Sequence, residues 1–247
     1  MQFPENIFQT ICEYLLPTAC ITCQEFQEYS ICDVCLCSLK SDALFNYQCC
    51  YQCGIALQAS ELIERRCISC QSAQPYFDET YCLDRYEGIL QAPLHELKYQ
   101  KRIAFANGLG NAWNLLMAKE LENTFADYLL PVPLSTEKLA QRGFNQSWEL
   151  VKLIRCGGHI QKSPYILQRH HCFHPQAGSP IDSRRLAIQN MFYVEAEYIE
   201  NLRGKSVVVF DDVMTSGATL NEIARILKDN GVSRVVNWVI LRAARPI

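Results

Sequence analysis

The stretch VVVFDDVMTSGATL, residues 207–220, constrains this fold more than any other part of the chain. An apolar β-branched run reads as a buried strand, and it delivers two carboxylates, Asp211 and Asp212, to the carboxyl edge of a sheet. The small residues Thr215, Ser216, Gly217, Ala218 and Thr219 follow at once and open a helix. The unpaired N–H groups and the dipole of such a helix start favour a phosphate. Gly217 permits close backbone approach, and three hydroxyls stand ready to donate to phosphate oxygens. Adjacent carboxylates would repel a bare anion. They make sense if they accept hydrogen bonds from sugar hydroxyls or hold a Mg²⁺. The expected ligand is a ribose 5-phosphate with free 2′ and 3′ hydroxyls.

The surrounding sequence alternates strand and helix. Residues 106–125 carry Leu109, Trp113, Leu116 and Leu121 at helical spacing, and 128–134 form a short strand ending in a proline-framed turn. Residues 144–155 read as a helix with Trp148, Val151 and Ile154 on one face. Strand 205–210, helix 222–230 and strand 235–241 complete the pattern. The expected fold class is α/β with a doubly wound, mostly parallel sheet, and ligands of such sheets sit at the carboxyl ends of strands.

The first third has another chemistry. Twelve of the fourteen cysteines fall at or before Cys82, and residues 1–85 hold four Lys/Arg against eleven Asp/Glu, while 86–247 hold nineteen against fifteen. Two domains are expected, 1–80 and 81–247, joined near residues 76–85. Four C-x2-C pairs stand out. Pairing neighbours gives one site from Cys20, Cys23, Cys32 and Cys35 and another from Cys50, Cys53, Cys67 and Cys70, each suited to a tetrahedral Zn²⁺. Metal binding energy can replace the core that so short a segment lacks. Disulfides would suit a secreted chain, and redox use of C-x-x-C would need a thioredoxin-like βαβ setting. Cys37 and Cys49 are near enough to substitute for a ligand, and Gly54 suits a tight knuckle. Cys12, Cys82, Cys156 and Cys172 read as small buried hydrophobes. Acidity argues against this zinc ribbon gripping DNA.

Hydrophobic residues at 49% and charged residues at 20% exclude a collagenous, coiled-coil or largely disordered chain. No apolar run is long enough to span a bilayer, and the opening MQFPENIF lacks the pattern of a secretory signal, so a cytoplasmic location is expected. Arg142 lies in a glycine-containing loop where pyrophosphate would sit, and Lys98 could reach the pyrophosphate or form a local salt bridge. Asn145 and Gln146 are expected to shape that loop. Residues 135–185 hold eight Lys/Arg against three acids, interleaved with aromatics. That surface suits single-stranded nucleic acid, with Arg155, Lys162 and Arg169 as candidate contacts, or a mobile pyrophosphate loop. The histidines 159, 170, 171 and 174 show no metal-ligand spacing with nearby acids.

Residues 207–220 resemble the phosphoribosyl pyrophosphate (PRPP) motif of type I phosphoribosyltransferases. By that resemblance Asp211 and Asp212 bind the ribose hydroxyls and Thr215–Thr219 the 5-phosphate. Leu97-Lys98-Tyr99, Pro131-Val-Pro-Leu134, Arg142-Gly-Phe-Asn-Gln146 and the cysteine ribbon precede it in an order similar to the bacterial ComF/GntX family of competence proteins. Gln176, Arg184 and Phe192 fit that family's pattern, but Ala187 stands where relatives carry Asn. The resemblance implies a PRPP-binding protein in DNA uptake and natural transformation, handling incoming single-stranded DNA beside an uptake-machinery helicase. The alternative is an active Mg²⁺-dependent phosphoribosyltransferase that passes ribose 5-phosphate from PRPP to an unidentified acceptor.

Overall fold

The computed structural model describes residues 18–42, 44, 47–117, 125–170 and 191–244. A small antiparallel pair, β1 (Thr18–Ala19) and β2 (Phe26–Gln27), and two helices, α1 (Asp33–Asp42) and α2 (Ile68–Ser72), precede the main sheet. The chain then lays down β3 (Glu79–Arg85), helices α3 (Gln91–Tyr99) and α4 (Phe105–Leu116), and β4 (Tyr128–Pro131). Helices α5 (Thr136–Arg142) and α6 (Gln146–Leu153) lead to β5 (Gln161–Lys162). A separate antiparallel pair follows, β6 (Leu167–Arg169) with β7 (Phe192–Val194), before β8 (Ser206–Met214), α7 (Ala218–Asp229) and β9 (Arg234–Arg242).

The main sheet has the order β3-β9-β8-β4-β5 and every pairing in it is parallel. From β4 the chain steps outward to β5, and from β8 it steps the other way to β9. The order therefore reverses between β4 and β8, and the crevice at their carboxyl ends is where a doubly wound sheet receives a ligand. This is the α/β architecture expected from the sequence.

Side chains alternate across the sheet into two cores. Val208 and Phe210 of β8, with Val236, Trp238 and Ile240 of β9, face a layer that includes Leu109 and Trp113 of α4 and Leu150 of α6. Trp113 meets Phe210 edge-on at 5.5 Å and Trp238 at 5.8 Å. Val207, Val209, Val235 and Val239 face the other layer, which holds Ile223 and Leu227 of α7. Cys20, Ile21 and Leu39 join the first core, whereas Cys50, Cys53, Cys67 and Cys70 join the second. The two halves of the cysteine-rich segment thus pack on opposite faces of one sheet.

Several expected elements shift. β8 continues past Phe210 through both aspartates to Met214, and α7 begins at Ala218 rather than 222. The strand expected at 128–134 ends at Pro131, and the helix expected at 144–155 covers Gln146–Leu153. The join expected near residues 76–85 is the sheet's edge strand β3, which pairs with β9 from Glu79 to Arg85. Among the described residues no helix is long and apolar enough to cross a membrane. Cys12, His171, Cys172, His174, Gln176, Arg184 and Ala187 lie outside the described residues.

Candidate ligand site and cysteine clusters

At the carboxyl end of β8 the chain turns into α7 through Gly217, whose φ of 79° lies in the left-handed region. That conformation calls for glycine, and a Cβ there would also displace the end of the Met214 side chain, whose Cε would lie 2.5 Å away. The first N–H groups of α7 have no intrahelical acceptor at this end of the helix. Thr215 and Ser216 are exposed, and the Ser216 hydroxyl accepts from the Ala218 N–H at 3.3 Å.

The two aspartates differ. Asp212 is buried, with its Oδ2 2.5 Å from the Lys98 ammonium at the end of α3. That contact is one of charge and lacks hydrogen-bond geometry, so Oδ2 has no directed donor among the described residues. Asp211 is half-buried, and its Oδ1 accepts from the Asp212 N–H at 2.9 Å. Desolvation first and the neighbouring Asp212 charge second push its carboxyl well above the usual range, against the pull of Lys98.

Lys98 is followed by Tyr99, and the Arg142 guanidinium lies over that ring at 5.8 Å. Arg142 ends α5, just beyond β4, and donates to Gln146 Oε1. Asn145 caps α6 by accepting from the Ser147 and Trp148 N–H groups and donates to the Val132 carbonyl. It holds the loop in shape, as its sequence position suggests. The structure thus brings Lys98, Asp211 and Asp212 together, with Thr215–Thr219 following in the chain and Arg142 one aromatic ring away. Lys98 meets the paired carboxylates at the carboxyl end of β8, on the sheet reversal between β4 and β8.

The nucleic-acid candidates are dispersed. Arg155 is exposed just beyond α6. The Lys162 ammonium donates to the Ile154 and Lys152 carbonyls at 2.5 and 3.3 Å, so it is committed to the carboxyl end of α6. Arg169 sits on β6 over the Phe192 ring at 5.7 Å, with burial lowering its pKa and Glu137 opposing that.

Both cysteine groups form as the spacing suggests. The sulfurs of Cys20, Cys23, Cys32 and Cys35 lie within 4.8 Å of one another, as do those of Cys50, Cys53, Cys67 and Cys70. In the first group burial pushes the Cys20 thiol up, yet backbone donors from Cys23, Cys32 and Thr22 outweigh it and bring it down to about 6. In the second, neighbouring Cys53 and Cys70 thiols lower Cys50, while Cys50 and Cys53 raise Cys70. Four cysteine sulfurs gathered in each group form a donor set that fits a tetrahedral dication, so each group could hold a Zn²⁺. Cys37 is exposed and the Cys49 thiol donates to the Leu44 carbonyl at 3.5 Å, and neither belongs to a group. Cys82 is buried and Cys156 half-buried, the former against Gly54.

Three contributors take no role from the sequence alone, although Tyr99 stands in the Leu97-Lys98-Tyr99 motif. Glu61 is buried between the second group's cysteine pairs, where its carboxylate accepts from the Gln58 and Ile68 N–H groups at 2.8 and 2.7 Å. Tyr99 spaces Arg142, and Arg242 is buried below the phosphate loop. An arginine that follows an apolar strand looks like a surface residue until the fold is known.

The family model described as phosphoribosyl transferase domain matches residues 176–245. The DNA utilization protein YhgH of Escherichia coli O157:H7 is 28% identical over 233 residues, 92% of this chain and 98% of that one. Competence protein F of Haemophilus influenzae is 27% identical over 230 residues, 91% of this chain and 96% of that one. Among solved structures, the allosteric regulatory enzyme of purine biosynthesis aligns at 18% identity and a TM-score of 0.35. That alignment covers 54% of this chain and spans about a quarter (25%) of that protein's length.

Proposed function

We propose that this chain, which is similar to DNA utilization and competence proteins and is matched over residues 176–245 by the phosphoribosyl transferase domain model, is a ComF-type competence protein that binds PRPP with Mg²⁺ and serves in handling incoming single-stranded DNA. The observation that supports the ligand is the sheet's reversal, where Lys98 meets Asp212 beside Asp211 at the end of β8 and the chain turns through Gly217 into α7. In this reading the carboxylates accept from the ribose 2′ and 3′ hydroxyls, and the turn and the start of α7 hold the 5-phosphate. Lys98 leaves Asp212 to meet the pyrophosphate, and Arg142 assists it. Bound Mg²⁺ would supply charge neutralisation for the pyrophosphate. In this reading the cysteine-rich first third is a metal-held scaffold packed on both faces of the sheet, and the rest of the chain carries the ligand site.

Thermal unfolding tests the ligand directly. PRPP with Mg²⁺ at a hundredfold excess over its Kd should stabilise the protein by about 2.7 kcal/mol, an upward Tm shift of several degrees. An unchanged melting curve at millimolar PRPP overturns the reading. Turnover is a separate outcome: pyrophosphate released when candidate acceptors are added would mark a phosphoribosyltransferase.

The DNA role draws support from the relatives' names, DNA utilization protein and competence protein, and from the basic stretch around Arg155. Fluorescence anisotropy with a labelled single strand should show binding that weakens steeply with salt, because each neutralised phosphate releases counterions. Arg155→Glu should weaken it while leaving PRPP affinity unchanged. Lys162→Glu is the poorer probe, since it also removes the donor at the end of α6. No salt-dependent binding at micromolar protein counts against direct DNA contact.

A further inference from the structure

Arg242 ends β9 and is 6% exposed, and every hydrogen bond it makes among the described residues ends on a main-chain carbonyl. Its Nε donates to the Cys53 carbonyl at 2.8 Å. Its Nη1 donates to Met214 at 3.0 Å, to Ala243 at 2.9 Å, and to Thr215. A buried guanidinium without a carboxylate partner is costly, and carbonyls offset that cost only while they stay in place. Besides that of its neighbour Ala243, they belong to two segments far apart in the chain. Cys53 is a ligand candidate of the second cysteine group, and Met214 and Thr215 open the phosphate turn.

Both ends of this bridge are stiff. On the cysteine side, Cys50 donates its N–H to Ile55 and accepts from Gly54, each at 2.8 Å, closing the knuckle. Gly54 has φ 68°, and a Cβ there would lie 2.6 Å from Cys82 Sγ, so the knuckle has no slack toward the sheet. On the loop side, Met214 pairs in register with Arg242 across β8 and β9. A metal gripping the Cys50 and Cys53 sulfurs would fix the Cys53 carbonyl, and the planar fork of the guanidinium carries that position to the start of the turn. A lysine ammonium, as one point of donation, cannot serve both ends in this way.

We infer that Arg242 is a positioning residue that couples metal occupancy of the Cys50, Cys53, Cys67 and Cys70 group to the conformation of the Thr215–Thr219 turn. The inference rests on the phosphate-turn reading above for its ligand. The coupling is reciprocal: metal at the cysteines strengthens ligand binding at the turn, and ligand at the turn slows metal loss.

Hydrogen–deuterium exchange tests the coupling without any ligand. In Arg242→Met with zinc content at the parent's value, amides 214–219 and 50–55 should both exchange faster than in the parent. Unchanged exchange at 214–219 in that folded, zinc-loaded variant overturns the inference. Should the methionine variant fail to fold, Arg242→Lys carries the same comparison. It retains the buried charge, and exchange at 214–219 matching the parent's overturns the inference equally. A second arm uses the parent alone and follows zinc release to a chromogenic chelator, with phases assigned from a Cys23→Ser variant. PRPP with Mg²⁺ should slow release from the second group by about tenfold, within the usual range of coupling between sites, and leave the first group unchanged. Equal release with and without PRPP overturns the coupling if the same PRPP raises the Tm. No rise in Tm strikes the ligand reading instead, and the exchange experiment still decides the coupling.

Discussion

Serine in place of Cys70 should lower the Tm by on the order of 10 °C or more, whereas serine in place of Cys23 should cost far less. The two groups have the same four-thiol chemistry and differ in burial. All four cysteines of the second group are buried and share a core with Leu130, Val209 and Val239, so their metal would hold one face of the main sheet. Cys23 is exposed, and its group anchors β1, β2 and α1 through Cys20 and Ile21. Structural zinc in small metal-dependent domains contributes about 10–16 kcal/mol, comparable with the whole stability of a typical fold. Losing it beneath the sheet removes support from many residues, while losing it at the margin frays a short segment. Circular dichroism melts with metal analysis give the answer. Parent-like Tm and zinc content in Cys70→Ser, or equal losses in the two variants, would overturn this ordering.

The parts of the site that could be read in advance are those whose residue types have one good structural use. A valine run followed by two acids and T-S-G-A-T has few alternatives to strand, turn and helix, and residues 206–229 form them. Boundaries moved because tertiary pairing extends a strand beyond its apolar residues. Asp211 remains in β8 because Val239 of β9 pairs with it. Glu79–Arg85 was not legible as a strand because its charges suggest solvent. In the fold Glu79 pairs with Arg234 at 2.8 Å, Arg85 lies over the Tyr47 ring, and Asp84 is buried. Helix α3 hid for a similar reason. It contains Pro93 and buries only Pro93, Leu94 and Leu97, a stripe too thin to register as a period. Arg242 had no local signal at all, since apart from its neighbour Ala243 its partners are carbonyls of segments distant in the chain.

Asp211→Asn should make the unliganded protein more stable and at the same time remove most of its affinity for PRPP. Burial and the Asp212 charge hold the Asp211 carboxyl above its unfolded value of 3.8, so the folded state disfavours the ionised form. The sign follows from linkage. An acid whose pKa is raised on folding costs nothing below the unfolded value. Its cost grows as pH rises through the window up to the folded value and is constant above that. Asparagine has nearly the same shape and no charge, so it removes that cost. At about 2–4 °C per kcal/mol for a chain of this size, the unliganded Tm should rise by a few degrees at pH 7. The gain should shrink as the pH falls toward 3.8, because the parent's carboxyl is protonated there too. Ligand binding should move the other way. A carboxylate accepting a sugar hydroxyl contributes about 1.5–3 kcal/mol more than no partner, so its loss should weaken PRPP roughly ten- to a hundredfold. Calorimetric melts across pH and titration with PRPP and Mg²⁺ measure the two effects on one variant. A variant less stable than the parent at pH 7 would show that Asp211 serves the fold. A variant of unchanged PRPP affinity would show that the ribose does not rest on this carboxylate. The expected pairing, stability gained where binding is lost, is the mark of a charge kept in place for a ligand.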